Sequence, residues 1–296
     1  MSGTVREESP RARFIRDFAG SRFALAGLGL VVLVAVAAIL GPWIAPQNPY
    51  DLSQLDITDA RLPPGSVSGA GYTYLLGTDG QGRDMLSGIL YGLRISLVVG
   101  IGSALFAAVL GTSLGLLAAY AGGRTDGAVM RLVDLQLSFP SILVALMILA
   151  VLGRGVGNVV LALVLVEWAY YARVARGAAL AERRREYIEA AEGLALSRTR
   201  IVFRHLLPNC LPPLIVVATT QIARAITLEA TLSFLGIGVP ITEPSLGLLI
   251  ANGYQYVLSG QYWISLYPGL ALLLAILGIN LVGDQVRDVL NPRLQR

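Results

Sequence analysis

The sequence predicts an all-α, polytopic membrane protein with six transmembrane helices, and three observations lead there. Apolar residues make up 55% of the chain and charged ones only 14%, the balance of a protein whose solvent is mostly lipid. Six windows are apolar enough to cross a bilayer, which asks about 20 residues per span. The polar segments between them alternate in arginine content, as topology under the positive-inside rule requires. In a chain of 296 residues, six spans and their loops leave no length for a separate soluble domain.

The windows lie at about residues 23–45, 93–120, 129–152, 157–176, 210–236 and 264–283. Residues 1–22 form a cytoplasmic tail, and 23–45 a first transmembrane helix whose apolar core is too long for a cleaved signal. Residues 46–92 form an extracytoplasmic loop, acidic and broken by Pro46, Pro49, Pro63 and Pro64, ending in a short amphipathic piece near Leu86 to Leu93. A five-helix core at 93–290 includes a cytoplasmic loop at 177–209, and 291–296 form a C-terminal tail. Tyr254, Tyr256, Tyr262, Trp263 and Tyr267 precede the last span, as headgroup-level anchors do.

All 23 basic residues are arginine. Eighteen fall in 1–22, 121–131, 172–209 and the C-terminus, and three in the alternate segments 46–92, 153–156 and 237–263. Both termini are therefore expected in the cytoplasm. The other two, Arg94 and Arg224, fall inside spans.

Without a lysine there is no Walker A loop, whose ammonium group must sit on nucleotide phosphates. One histidine, His205, and one cysteine, Cys210, exclude a His/Cys metal cluster and a disulfide within the chain. The spans hold only isolated carboxylates, which argues against a membrane-embedded enzyme, and no inverted repeat with broken helices marks an ion-coupled transporter. No catalytic residue, metal site, chain-bound cofactor or nucleic-acid partner is expected.

The positive signal is the arginine-studded segment 183–209. Glu186 to Leu196 has strong helix formers; Arg198 to Leu207 puts Ile201, Val202, His205 and Leu206 at helical spacing, and Pro208 opens the next span. Two short helices joined near Gly193 to Ser197 would make a partly apolar knob. Such a knob could fill a groove on a cytoplasmic protein or lie on anionic lipid, and the physics of the segment leaves both open.

EYIEAAEGLALSRTRIVFRHLLPN resembles the EAA loop of ATP-binding-cassette (ABC) importer permeases. Glu189, Ala190, Ala191, Leu207 and Pro208 match at the right spacing. The expected glycine falls on Ala195 and the usual isoleucine on His205, so Gly193 is the candidate for the bend. LLGTDGQGRDMLSGILYGLRISL, RLVDLQLSFP, YARVARG, LSFLGIG and NLVGDQVRDVLNPRL are similar, in order, to segments of the dipeptide, oligopeptide and nickel permeases, in particular their second membrane subunit. Asn291 and Leu246 depart from the usual aspartate and tryptophan.

The resemblance implies a type I ABC importer permease fold in a prokaryotic inner (plasma) membrane. The partners it implies are a second homologous permease subunit, two ATPase subunits that bind ATP and magnesium, an extracytoplasmic solute-binding protein and the lipid bilayer. ATPase coupling would run through Glu189, Ala190, Ala191, Gly193, Ala195, His205, Leu207 and Pro208. Peptides are the implied cargo; nickel chelates, opines and other small solutes share the architecture.

The fifth span is the least apolar. Thr220, Arg224, Thr227 and Thr231 form a polar stripe on one helical face. A charge near mid-span costs roughly 2.5–3.5 kcal/mol on insertion scales, so Arg224 should face protein or water. Glu167 is its candidate partner. The stripe is expected to line the translocation path together with Glu167, with Arg224 either paired to Glu167 or free for a substrate carboxylate; the structural alternative is that the threonines bond their own helix and an Arg224–Glu167 pair simply joins two helices. Glu229 lies opposite the stripe and reads as packing, as do Gly111 and Gly115.

Overall fold

The computed structural model describes residues 9–69, 71–240, 242–243 and 245–290. The expectations for residues 1–8 and 291–296, Asn291 included, lie outside the described residues. Two helices open the chain, α1 (Pro10–Ala19) and α2 (Arg22–Ile44), each started by a serine side chain, Ser9 and Ser21, that accepts a first-turn amide. A hairpin of β1 (Ser66–Val67) and β2 (Thr73–Tyr74) pairs antiparallel. Then come α3 (Met85–Ala121), α4 (Gly123–Ser138), α5 (Ser141–Leu152), α6 (Val156–Glu182), α7 (Glu186–Gly193), α8 (Arg198–Arg200), a π-helical stretch at Ile201–Leu206, α9 (Leu207–Phe234), α10 (Leu246–Tyr254) and α11 (Trp263–Leu290).

Five helices are long and apolar enough to cross a membrane, or six if the bent pair α4–α5 counts as one span. That pair corrects the third expected span. Its axis turns by 94°, because Pro140 lacks the amide that would continue the ladder and holds Phe139 in extended backbone. The 12 residues of α5 reach about 18 Å at 1.5 Å per residue, short of the ~30 Å hydrocarbon core. The preceding helix is polar and ties itself to α6: Arg176 grips Asp126 through two bonds of 2.5 and 2.6 Å, and Arg173 pairs with Asp134.

The core is set by small residues. α3 and α6 cross in close contact because a methyl group on Gly111 would overlap the Trp168 carbonyl, and one on Gly115 the Ala172 carbonyl. In a bilayer, where apolar burial gives little, such close backbone approach is what holds helices together. Gly27 and Gly278 do the same for α2 against α11. α10, which hydropathy did not reveal, sits between α3, α9 and α11, with Gly247 on Ala230 and Gly253 on Ile264.

Residues 45–69 and 71–84 build a folded cap from the expected proline-broken loop. Gln47 is its hub: its amide donates to the Gln54 carbonyl at 2.9 Å, its Oε1 accepts from the Asp84 amide at 2.7 Å, and its backbone N–H donates to Ser87 Oγ. Thr78 donates to the Asp59 carbonyl, and Tyr74 to the Asp59 carboxylate at 2.9 Å. Burial pushes the Asp79 carboxyl above its usual range, against the Arg83 and Gln81 amides that donate to it. Two expectations change here. Leu86 to Leu93 is no separate piece, because Asp84 caps α3 by accepting from Ser87 and the helix runs on unbroken. Trp263 is no headgroup anchor: it is buried beside Met85, and its indole donates to the Thr78 carbonyl at 3.1 Å. Tyr254 and Tyr262 remain exposed.

Candidate functional site

The arginine-rich segment folds as a knob on the end of α3. Ile188, Ala191 and Ile201 are buried together against Tyr120 and Leu196, and burying an isoleucine outside the bilayer is worth about 1.5–3 kcal/mol. Arg183 fixes the knob from the other side. Its guanidinium donates to the Ala119 and Tyr120 carbonyls at 2.6 and 3.2 Å and lies 5.2 Å from the Tyr120 ring centre. These are the last-turn carbonyls of α3, acceptors that a helix end leaves without partners. Sequence reading passed over Arg183 as one arginine among many; its place just after a long helix was the available signal. Tyr187 donates to Glu182 at 2.8 Å, and burial together with that bond lifts its hydroxyl to about 12.

The turn after α7 is a Schellman motif. The Leu196 amide donates to the Ala191 carbonyl at 3.2 Å and the Ala195 amide to the Glu192 carbonyl at 2.9 Å, with Ala195 in the left-handed region at φ 54°. This is where glycine is favoured, because it alone meets no Cβ penalty there. Gly193 is not the bend: it ends α7 ahead of the turn and has no positive φ.

Of the other expected coupling residues, Glu189 and Ala190 are exposed on α7 while Ala191 faces the cluster. The second expected short helix is continuous with the fifth span. Its π stretch ends with the Leu207 amide reaching back to the Val202 carbonyl, just before Pro208, which has no amide to give. His205 is half-buried in that stretch and its carbonyl accepts from Asn209 at 2.7 Å. Leu207 is half-buried and Pro208 exposed. Beside them the knob presents two apolar side chains, Leu194 and Phe203, 75% and 67% exposed. An apolar groove of about 1370 Å³ between α3 and α9 runs from Leu105 past Leu116 and Leu211 to Arg183 and Phe203.

The Arg224–Glu167 pair, one of the two arrangements left open for Arg224, does not form. Arg224 donates to Ser141 Oγ on α5 and lies over the Tyr170 ring at 4.4 Å. Helical phase explains this, since Tyr170 and Glu167 occupy neighbouring faces of α6, about 60° apart. Thr220, Thr227 and Thr231 each donate to a carbonyl of their own helix at 2.8–2.9 Å. Thr220 and Thr227 are nevertheless exposed on the surface of the chain. Glu229 turns inward, accepting from Ser96 and Ser233 at 3.0 and 2.8 Å and so joining α3 to α9. Among the described residues no three His, Cys, Asp or Glu side chains stand close enough to hold a metal ion.

Residues 111–296 match the family described as binding-protein-dependent transport system inner membrane component, and residues 9–64 match the N-terminal transmembrane domain of oligopeptide transport permease C. A di/tripeptide transport system permease protein of Pseudomonas aeruginosa is 39% identical over 97% of this chain and 93% of its own length. The dipeptide transport system permease protein DppC of Escherichia coli K12 is 40% identical over 97% of this chain and 95% of its own. Among solved structures, a chain of the inward-facing MetNI methionine ABC transporter aligns at a TM-score of 0.57 and 24% identity, over 69% of this chain and 97% of the other. That likeness places the fold among type I importer permeases.

Proposed function

Because the chain belongs to the inner-membrane components of binding-protein-dependent transport systems, we propose that it forms half of the translocation pore of an ATP-driven peptide importer. The other half is a second homologous permease. Two ATPase subunits bind ATP and magnesium below, and an extracytoplasmic binding protein delivers di- or oligopeptides from above. The chain has no ATPase site of its own. Its termini and its knob face the cytoplasm of a prokaryotic cell, on the side where the arginines gather.

The observation that carries this reading is the fixed knob. A cytoplasmic partner can push on the pore only through a rigid part: α7 packs Ile188 and Ala191 on Tyr120 of α3, and Arg183, at the end of α6, ties the approach to the knob to the same helix end. The knob exposes Glu189 on α7, Leu194 at its end and Phe203 on the π-helical stretch, an acceptor and two apolar contacts suited to a shallow groove on an ATPase. Closure of the ATPases would move α7 and α3 together, and the groove between α3 and α9 leaves room for that shift. The result is alternating access between inward- and outward-facing states. The exposed Thr220 and Thr227 would face the path.

The test reconstitutes the chain with its partners in proteoliposomes and follows labelled dipeptide uptake and ATP hydrolysis together. Glu189→Ala should lower assembly in part and cut uptake per ATP by about tenfold, equivalent to ~1.4 kcal/mol of coupling, while hydrolysis continues. Wild-type uptake by that variant would remove Glu189 from the coupling path. Uptake by the chain without any ATPase would overturn the importer reading itself.

A further inference from the structure

Two apolar clusters are stacked where α3, α6 and α9 meet. One takes Val99, Val166 and Ala225 from these helices in turn; the other takes Ala107, Tyr171 and Val217. Between them each helix contributes a polar residue: Ser103, Glu167 and Gln221, all at most 5% exposed. Ser103 is satisfied on its own helix, donating to the Val99 carbonyl at 2.6 Å. Both oxygens of Glu167, the Tyr171 hydroxyl and the Gln221 Nε2 meet no hydrogen-bonding group of the chain.

An ionised carboxylate in the membrane core without a partner is far less stable than the neutral acid. Arg224, whose charge acts on Glu167, is occupied by Ser141 and Tyr170. A second subunit cannot supply a partner, because Glu167 is fully enclosed within this one. A metal cation fits poorly beside an amide N–H₂ that can only donate. A protonated carboxyl, a hydroxyl and an amide around one level are instead the two to four partners an internal water needs.

We propose that this seam is a proton-binding site: Glu167 is carried as the neutral acid, joined through internal water to Tyr171 and Gln221. The same geometry makes it a two-state device. When α9 shifts against α6 and Arg224 leaves Ser141 for Glu167, the acid gives its proton to that water, which leaves as hydronium, and the carboxylate and guanidinium pair. The reverse movement takes one proton back. Among the described residues, the charged and titratable groups that act with Glu167 are Arg224 on α9 and Tyr171 on α6; the buried residues that α3 and α5 pack here, Ser103, Ala145 and Leu149, carry no charge. Glu229, farther along α9, is held by Ser96 and Ser233.

Infrared difference spectroscopy in nanodiscs at neutral pH tests it, wild type against Glu167→Gln. The expected result is loss of a protonated-carboxyl band in the variant; loss of a carboxylate band instead would overturn the proposal. Should that variant fail to assemble, Tyr171→Phe should shift the acid band, and an unshifted spectrum counts equally against it. These comparisons need only the folded chain. The switch rests on the proposed ATPase partnership: trapping the complex with a non-hydrolysable ATP analogue should convert the acid band to carboxylate in wild type and not in Arg224→Gln. An acid band that survives trapping in wild type refutes the switch and leaves the proton site standing.

Discussion

Ala195→Gly should tighten the knob. Ala195 holds φ 54°, a conformation that costs an L-residue roughly 1–2 kcal/mol. Glycine removes that strain but gives the unfolded segment more freedom, an opposing effect of about 0.4–1 kcal/mol. The balance favours the ordered turn by about 0.5–1 kcal/mol, a two- to fivefold change in its opening equilibrium. Hydrogen exchange of the chain in nanodiscs reads this at the Leu194 and Leu196 amides, which donate to the Ala190 and Ala191 carbonyls. Gly193→Ala supplies the contrast. Its added methyl meets nothing within 4 Å and its φ is not positive, so the helix propensity of alanine should slow exchange further, by up to about 1 kcal/mol. Faster exchange in Gly193→Ala together with no change in Ala195→Gly would place the bend at Gly193 and refute the reasoning.

Arg183→Ala leaves the Ala119 and Tyr120 carbonyls without their side-chain donor and should loosen the end of α6, and with it the knob that follows, from α3 by about 1–3 kcal/mol; exchange at Ile188 and uptake per ATP should change together, with Arg183→Lys retaining part of both. Gly111→Val should abolish folding of the α3–α6 pair, seen as loss of a monodisperse peak by fluorescence-detected chromatography, whereas Gly102→Ala, which meets nothing within 4 Å, should elute as wild type. The Asp79 carboxyl titrates above its usual range when folded, so the folded cap binds this proton more tightly than the unfolded chain. Its contribution is fully favourable below the ordinary carboxylate range and is lost as pH rises through the folded value. The cap should therefore resist proteolysis better in mild acid than at neutral pH, and Asp79→Asn, which keeps an acceptor for the Gln81 and Arg83 amides, should flatten that dependence.

Hydropathy read the long helices well because a span is a composition over some 20 residues, and a proline or two does not change the mean. What it misplaced followed from single residues. Pro140 splits one apolar window into α4 and α5, and α10, nine residues long, falls below the length a span-sized window detects. The cap at 45–84 was illegible because its order comes from Gln47, Asp59 and Thr78 bonding across tens of residues, pairings that no local pattern announces. At the knob, the departure of Ala195 from the expected glycine looked like a displaced bend. The backbone shows the opposite. The hydrogen bonds from Leu196 to Ala191 and from Ala195 to Glu192, with Ile188 and Ile201 buried beneath, hold the turn in place, and the alanine adopts the glycine's conformation at a local cost. Arg224 and Glu167 fail to meet for a related reason. The phase of α6 turns Tyr170 toward Arg224 and Glu167 into the seam, so of the two arrangements the sequence left open, paired or free, this conformation holds Arg224 on Ser141 and Tyr170 and leaves Glu167 apart from it.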